Sequence, residues 1–306
     1  MSARGDLIRL GIDSDGKNVD IFDGKLSAQN FRVPSGESFY VDASVSVSGT
    51  GKSWSEAYLT VQEAIDASNG TIDWGASPWL VDNYIYIAPG LYAEALTPPY
   101  SCHMIGEGVL GTDTACEIHP AAGSAITGTG LGLHIRNIWF EAVNAVPIID
   151  FGICNNTIFD NCVFAPAAAT VTHGISFENA SHFQLRNCYF TNGLGSGGIT
   201  HGLYFAGGAD KYMHGCRIVG NVFHEMQSFG IWIQNTCTAS ASYIVDNVIH
   251  VIGTGTGIHD ANGNTYCIGN HIIVDGAGDA ISHAGGSGHT LMNHCSVNGS
   301  YAQETA

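Results

Sequence analysis

Arg217-Ile-Val-Gly-Asn-Val-Phe-His224, Tyr243-Ile-Val-Asp-Asn-Val-Ile-His250 and Tyr266-Cys-Ile-Gly-Asn-His-Ile-Ile273 are three versions of one eight-residue phrase. Each reads as a short apolar strand, a turn residue, an Asn and a second short strand. The phrase recurs upstream over 133–140, 157–164 and 183–190, and downstream over 289–296. Aligned on the amide residue, it runs through Asn137, Asn161, Asn187, Asn221, Asn247, Asn270 and Asn293, at spacings of 24, 26, 34, 26, 23 and 23. Self-similarity at such a period marks a solenoid.

A second motif lies between the phrases. His173-Gly-Ile-Ser-Phe177, His201-Gly-Leu-Tyr-Phe205, Phe229-Gly-Ile-Trp-Ile233, Thr256-Gly-Ile-His-Asp260 and Asp279-Ala-Ile-Ser-His283 share one pattern. Each unit thus holds two or three strands of about four residues, joined by Gly, Asn and Ser turns. Strands this short bury nothing alone, so coils must stack at ~4.8 Å and pair backbone with backbone. The pattern predicts an all-β chain: a right-handed, single-stranded parallel β-helix of about nine coils. The Asn residues read as one stacked amide ladder. The positions two further on, Trp139, Val163, Tyr189, Phe223, Ile249, Ile272 and Cys295, read as an inward column, as do Ile175, Leu203, Ile231, Ile258 and Ile281. The long interval from 187 to 221 predicts a projecting loop at Gly193–Gly198 or Gly207–Tyr212.

The N-terminal part has its own signals. Phe39-Tyr-Val-Asp-Ala-Ser44, Gly49-Thr-Gly-Lys-Ser-Trp54, Thr60-Val-Gln-Glu-Ala-Ile-Asp66 and Tyr84-Ile-Tyr-Ile-Ala-Pro-Gly-Leu-Tyr92 follow one another. Thr60 and Glu63 form a capping box, and Val61, Ala64, Ile65 and Ser68 share one helical face. This order resembles the opening of the right-handed β-helix, pectin-lyase-like superfamily. The resemblance spans about residues 39–298 and implies a fold with a cap helix. It leaves activity open. The expected organisation is 1–38 as an anchoring or assembly segment, 39–83 as the opening unit with its cap helix, 84–299 as the solenoid and 300–306 as a tail.

Composition narrows the function classes. Of 306 residues 40 are Gly, 12% are charged and the net charge is −17. Such an acidic chain lacks the electrostatic footprint of a nucleic-acid or anionic-membrane binder. No apolar run reaches the ~18 residues of a membrane span, and no secretory signal is visible at residues 1–10. The nine Cys show no metal-site spacing and read as reduced, buried small residues. No cofactor is expected. The histidine pairs 173/201, 224/250 and 271/294 share columns; they read as turn or surface ladders, no metal site is assigned, and metal binding stays open.

Candidate chemistry is sparse. Arg136, Asp160 and Arg186 precede successive Asn residues and alternate in sign, which suits a register-setting ion ladder or a lyase site. Glycoside hydrolysis needs converging carboxylates; the weak candidates are Asp260, Asp275 and Asp279, with Glu178 and Asp210 near the long loop. The strongest surface feature is a strip of outward residues on the second motif, Tyr204, Trp232 and His259, extended by Gln234. Such a strip reads first as a subunit interface and second as a carbohydrate-binding surface. Arg4-Gly5-Asp6 and the glycosylation sequons at Asn69, Asn155, Asn179 and Asn298 read as chance matches.

The chain also resembles viral, including bacteriophage, β-helix spike and decoration proteins: a rigid fold, a separate N-terminal segment and few surface charges. That resemblance implies a non-enzymatic virion-surface protein, trimeric, held to other virion proteins through residues 1–38 and presenting a surface to host glycans. The alternative is a polysaccharide lyase or glycoside hydrolase.

Overall fold

The structure is a computed structural model that describes residues 11–12, 18–21, 24–27, 36–72, 81–192, 197–283 and 289–304. From Ser38 onward the chain winds through three sheets of short strands, a parallel β-solenoid. The first sheet holds ten strands, from Ser38–Val41 to His289–Leu291. The second also holds ten, from Gly90–Tyr92 to Ser300–Glu304. The third holds nine, beginning at Ile126–Leu131 and ending at Ile281–His283. Apart from the last pair of the second sheet, neighbours within these sheets run parallel.

The core is built from side chains repeated coil on coil. Phe140, Phe164, Phe190 and Phe223 stack with ring centroids 5.7, 4.6 and 4.6 Å apart. A second column, Phe151, Phe177 and Phe205, runs beside it at 6.2 and 4.8 Å. All nine cysteines are buried, consistent with the low charge and apolar lining of the interior.

The N-terminal end is closed by the helix Val61–Gly70, which buries Val61, Ala64, Ile65 and Ser68. Its capping box is formed: the Glu63 N–H donates to the Thr60 hydroxyl, and the Thr60 N–H donates to the Glu63 carboxylate. Glu94 adds a second cap, accepting the N–H groups of Val61 and Gln62 at 2.8 and 2.9 Å, where the helix dipole favours an anion.

The C-terminal end departs from the expected loose tail. Asn298 and Gly299, with φ of 47° and 75°, make the left-handed turn that an Asn-Gly pair favours. Ser300–Glu304 folds back antiparallel on Asn293–Val297 and covers part of an edge that would otherwise expose unpaired backbone. Before the solenoid, Gly11–Ile12, Asn18–Ile21 and Gly24–Ser27 form a separate three-stranded antiparallel sheet. The remainder of 1–35, including Arg4-Gly5-Asp6, lies outside the described residues.

The seven Asn residues do not form one ladder. Tyr189 pairs with Val222, not with Phe223, so the early and late coils are offset by one residue. Asn137, Asn161 and Asn187 have φ of 59°, 51° and 55°. They share a turn column with Gly220, Asp246, Gly269 and Met292, whose φ values are 68°, 54°, 66° and 55°. This column needs left-handed backbone, which Gly and Asn tolerate best. Asn221, Asn247, Asn270 and Asn293 sit one position later, fully or almost fully buried. There each Oδ1 accepts a backbone N–H from the coil before it, at 2.9–3.0 Å. Each Nδ2 donates to a carbonyl of that preceding coil. Cys162 and Cys188 hold this place in earlier coils, with the Cys162 N–H 3.4 Å from the Cys188 sulfur.

The offset also corrects the expected inward column. Phe223, Ile249, Ile272 and Cys295 are buried. Trp139 is half-buried, Val163 lies on the edge of the core and Tyr189 is exposed, because in those coils the inward place falls on the next residue. The long interval has two sources. Register places Val171 beside Ile199 and Phe164 beside Phe190, so the connection there is two residues longer. Phe177 pairs with Phe205 and Asn179 with Tyr212, which inserts five residues over 206–211.

The two Asn columns should respond oppositely to substitution. Asn247→Ala strands the Asn221 main-chain N–H and the Ile218 carbonyl in the core, removes an acceptor from Asn221 Nδ2 and a donor from Asn270 Oδ1, and should cost about 3 kcal/mol or more in chemical denaturation. Met292→Gly relieves left-handed strain at an exposed turn and should be neutral to stabilising, by up to about 1 kcal/mol.

Candidate functional site

The sequence-predicted strip lies on the third sheet in register: Ser176, Tyr204, Trp232, His259 and Ser282 are successive cross-strand neighbours. A second column lies beside it: His173, His201 and Phe229 are half-exposed, and Thr256 continues their register but is buried. Ordinary strand alternation would not set residues three apart on one face. Here alternation breaks at the glycine: in Ile199–Phe205 both Gly202 and Leu203 point inward, while His201 and Tyr204 point out. The same break recurs at Gly174, Gly230 and Gly257.

These glycines are required by close approach. A Cβ on Gly202 would lie 2.4 Å from the Phe223 ring and 2.5 Å from the Gly230 carbonyl oxygen; one on Gly230 would lie 2.3 Å from Ile249 and 2.6 Å from the Gly257 oxygen. The motif glycine was legible as a small residue, but its role in bringing two columns together shows only in the register.

The result is a continuous patch of six rings. His173 stacks on Tyr204 at 4.3 Å and 24°; Phe229 stacks on Trp232 at 4.9 Å and 21°. Trp232 meets Tyr204 edge-on at 5.1 Å and His201 at 4.8 Å. His259 joins through Phe229 at 5.7 Å. All six are half-buried, each partly covered by its neighbours. Burial, with His201 adding to it, pushes the His173 imidazole down to about 3. Burial pushes His201 down to about 4 against a hydrogen bond at Thr200 that opposes the shift. Both rings are therefore neutral at physiological pH. Nδ1 of each, and the neighbouring Thr172 hydroxyl, are buried with no hydrogen-bond partner among the described residues.

Gln234 stands at the border of the patch. Its Oε1 accepts the Gly207 N–H at 2.9 Å and so ties down the 206–211 insertion, which Lys211 also anchors through an ion pair to Glu178 at 2.6 Å. The amide oxygen counted as part of the strip is spent on the fold.

The three carboxylate candidates sit in different surroundings. Asp260 is fully buried. It accepts from the N–H groups of Asn262, Gly263, Asn264 and Thr265 and from the Thr265 hydroxyl, at 2.7–3.1 Å. Burial opposes its ionisation, but the nearby His283 imidazole, 3.8 Å away, and the hydrogen bonds from Thr265 and Gly263 prevail and hold the carboxyl at about 2. It organises a turn. Asp275 lies 3.0 Å from His250, while Asp279 offers its carbonyl to the Gly257 N–H. No hydrogen bond or ion pair among the described residues joins any two of the three.

At another corner, Glu107, Arg136, Asn137, Asp160 and Asn161 line an open cleft of about 410 Å³. The expected alternating ladder is one ion pair there, Arg186 to Asp160 at 3.2 Å, with Arg136 in no ion pair among the described residues. His119 lies 3.0 Å from Glu141 and 3.3 Å from Glu117. His224, Glu225 and His250 make a second cluster of metal-ligating groups.

No family model and no curated protein matches the chain. Among solved structures, the pectin methylesterase from carrot is similar at 15% identity and a TM-score of 0.41, over 87% of this chain and 84% of that one.

The neutral histidines give a pH signature. Their folded pKa values lie below the ordinary 6.5, so the unfolded chain binds more protons between the two. Their contribution is present above about pH 6.5 and is lost as pH falls toward 3–4. From pH 7 to 4.5 the wild type should lose stability relative to a His173→Gln variant by about 2 kcal/mol, read from denaturation midpoints at each pH. Parallel curves would contradict the assignment.

Proposed function

We propose that this protein is a non-catalytic recognition solenoid that binds carbohydrate through the six-ring face of its third sheet. The observation that carries the reading is the built arrangement of His173, His201, Tyr204, Phe229, Trp232 and His259. Flat, uncharged ring faces suit the apolar faces of sugars. The six rings cover one another and are each only half-exposed, which suits a narrow ligand surface better than the broad apolar core of a subunit interface. The carboxylates of Asp260 and Asp275 are engaged in a buried turn and with His250, which favours binding over glycoside hydrolysis.

The setting we propose is a virion surface, with the solenoid acting as a trimeric spike, fibre or decoration protein. The separate antiparallel sheet within 11–27 and the charge-poor composition support this setting, in which weak sugar contacts multiply by avidity.

Binding to a neutral-glycan panel tests the reading. Trp232→Ala and Tyr204→Ala should each weaken binding about tenfold or more, while Tyr266→Ala, in a ring stack on the first sheet, should leave it unchanged. Absence of binding across the panel, or equal loss in all three variants, would overturn it. Sedimentation of the full chain reads the trimer separately.

A further inference from the structure

His224 and Glu225 are consecutive, yet both point outward. A bulge causes this. Phe223 pairs with Ile249 and Met226 with Val251, leaving one extra residue in the strand. That residue is Glu225, held at φ 60°, a backbone region unfavourable to Glu. On the next coil His250 follows Ile249 and lies beside His224, with ring centroids 5.9 Å apart. The bulge thus adds a carboxylate to a pair of stacked imidazoles.

We propose that His224, Glu225 and His250 form a binding site for a divalent transition metal of the zinc class. One ligand atom from each lies within 4.8 Å of the others, and His224 Nε2 is 3.9 Å from Glu225 Oε1. Tetrahedral bonds of ~2.0–2.2 Å put ligand atoms roughly 3.3–3.6 Å apart, so small side-chain rotations close the set. Two imidazoles and one carboxylate are the borderline-soft donors that select zinc, nickel, cobalt or copper over magnesium or calcium. Three protein ligands leave a fourth position for water.

Outer groups already orient the donors. Asn192 Nδ2 donates to the Glu225 carbonyl at 3.0 Å and to its carboxylate at 3.3 Å, while Asn192 Oδ1 accepts the Ile199 N–H at 3.2 Å. Asp275 lies 3.0 Å from His250 Nε2. A carboxylate holding one ring nitrogen of His250 leaves the other to ligate, the carboxylate–histidine arrangement common around bound metals. The side chains of His224, Glu225 and His250 are all partly solvent-accessible, so an ion has a path in. The other cluster differs: His119 is within hydrogen-bond reach of both Glu117 and Glu141, and Trp139 donates to Glu141 at 3.1 Å. The donors of that cluster are already tied to one another, which makes it the internal control.

Cobalt(II) and zinc titration of the chelator-treated full chain tests the site. One ion should bind per chain, with visible cobalt absorption of a tetrahedral site displaced by zinc. His224→Ala and His250→Ala should each weaken binding at least tenfold. Glu225→Gln, which keeps the side-chain size, should weaken it about tenfold. His119→Ala should leave it unchanged. Circular dichroism checks that each variant remains folded. Wild-type affinity in either histidine variant, loss of binding through His119→Ala, or no binding below about 1 mM metal would overturn the proposal.

Discussion

Every feature of this molecule depends on coils stacking in register. In a parallel solenoid each backbone N–H finds its acceptor in the coil next to it. Once two coils are aligned, every side chain sits over its counterpart. The interior amide ladder makes this register expensive to change. Asn221, Asn247, Asn270 and Asn293 each present an oxygen to the N–H of the preceding coil and an amide to its carbonyl. A slip of one residue would bury all of these groups unpaired, at a cost of ~1–3 kcal/mol each. It would also turn the core columns to solvent.

The same register constructs the surface. A glycine at one point in four successive units of the third sheet, Gly174, Gly202, Gly230 and Gly257, lets the sheet lie against Phe223, Ile249 and their like. That contact forces two inward residues in succession and brings two outward columns side by side. The aromatic face is therefore a product of core packing. A single extra residue, Glu225, does the opposite job on the second sheet: it breaks the strand locally and turns a carboxylate toward two histidines. Both candidate sites arise where alternation fails, and in a repeating fold such failures stand out against uniform neighbours.

Much of the fold was legible in the sequence. The period, the capping box at Thr60, the inward column at Ile175, Leu203, Ile231 and Ile258, which at its last member Ile281 is only partly buried, and the outward order Tyr204–Trp232–His259 all follow from strand alternation and helix-start chemistry. The one-residue offset between Asn187 and Gly220 was hidden because Asn suits two places. It tolerates a left-handed turn, and it satisfies a buried ladder with one side chain. Gly220 and Gly269, directly before the later Asn residues, were the available signal, since the turn column needs a residue at ease with positive φ. The second aromatic column was missed because His173 and His201 read as turn residues until the inward Gly-Leu or Gly-Ile pair placed them on the sheet. The Glu225 bulge left no mark, because repeat lengths here already vary by several residues.

Amide hydrogen exchange of the intact chain measures the central claim most directly. If the buried Asn ladder holds the coils in register, the backbone N–H groups of Asn221, Asn247 and Asn270 should be among the slowest in the protein. They should exchange far more slowly than those of the closing strand Ser300–Glu304. Exchange of the ladder amides as fast as that terminal strand would contradict the account.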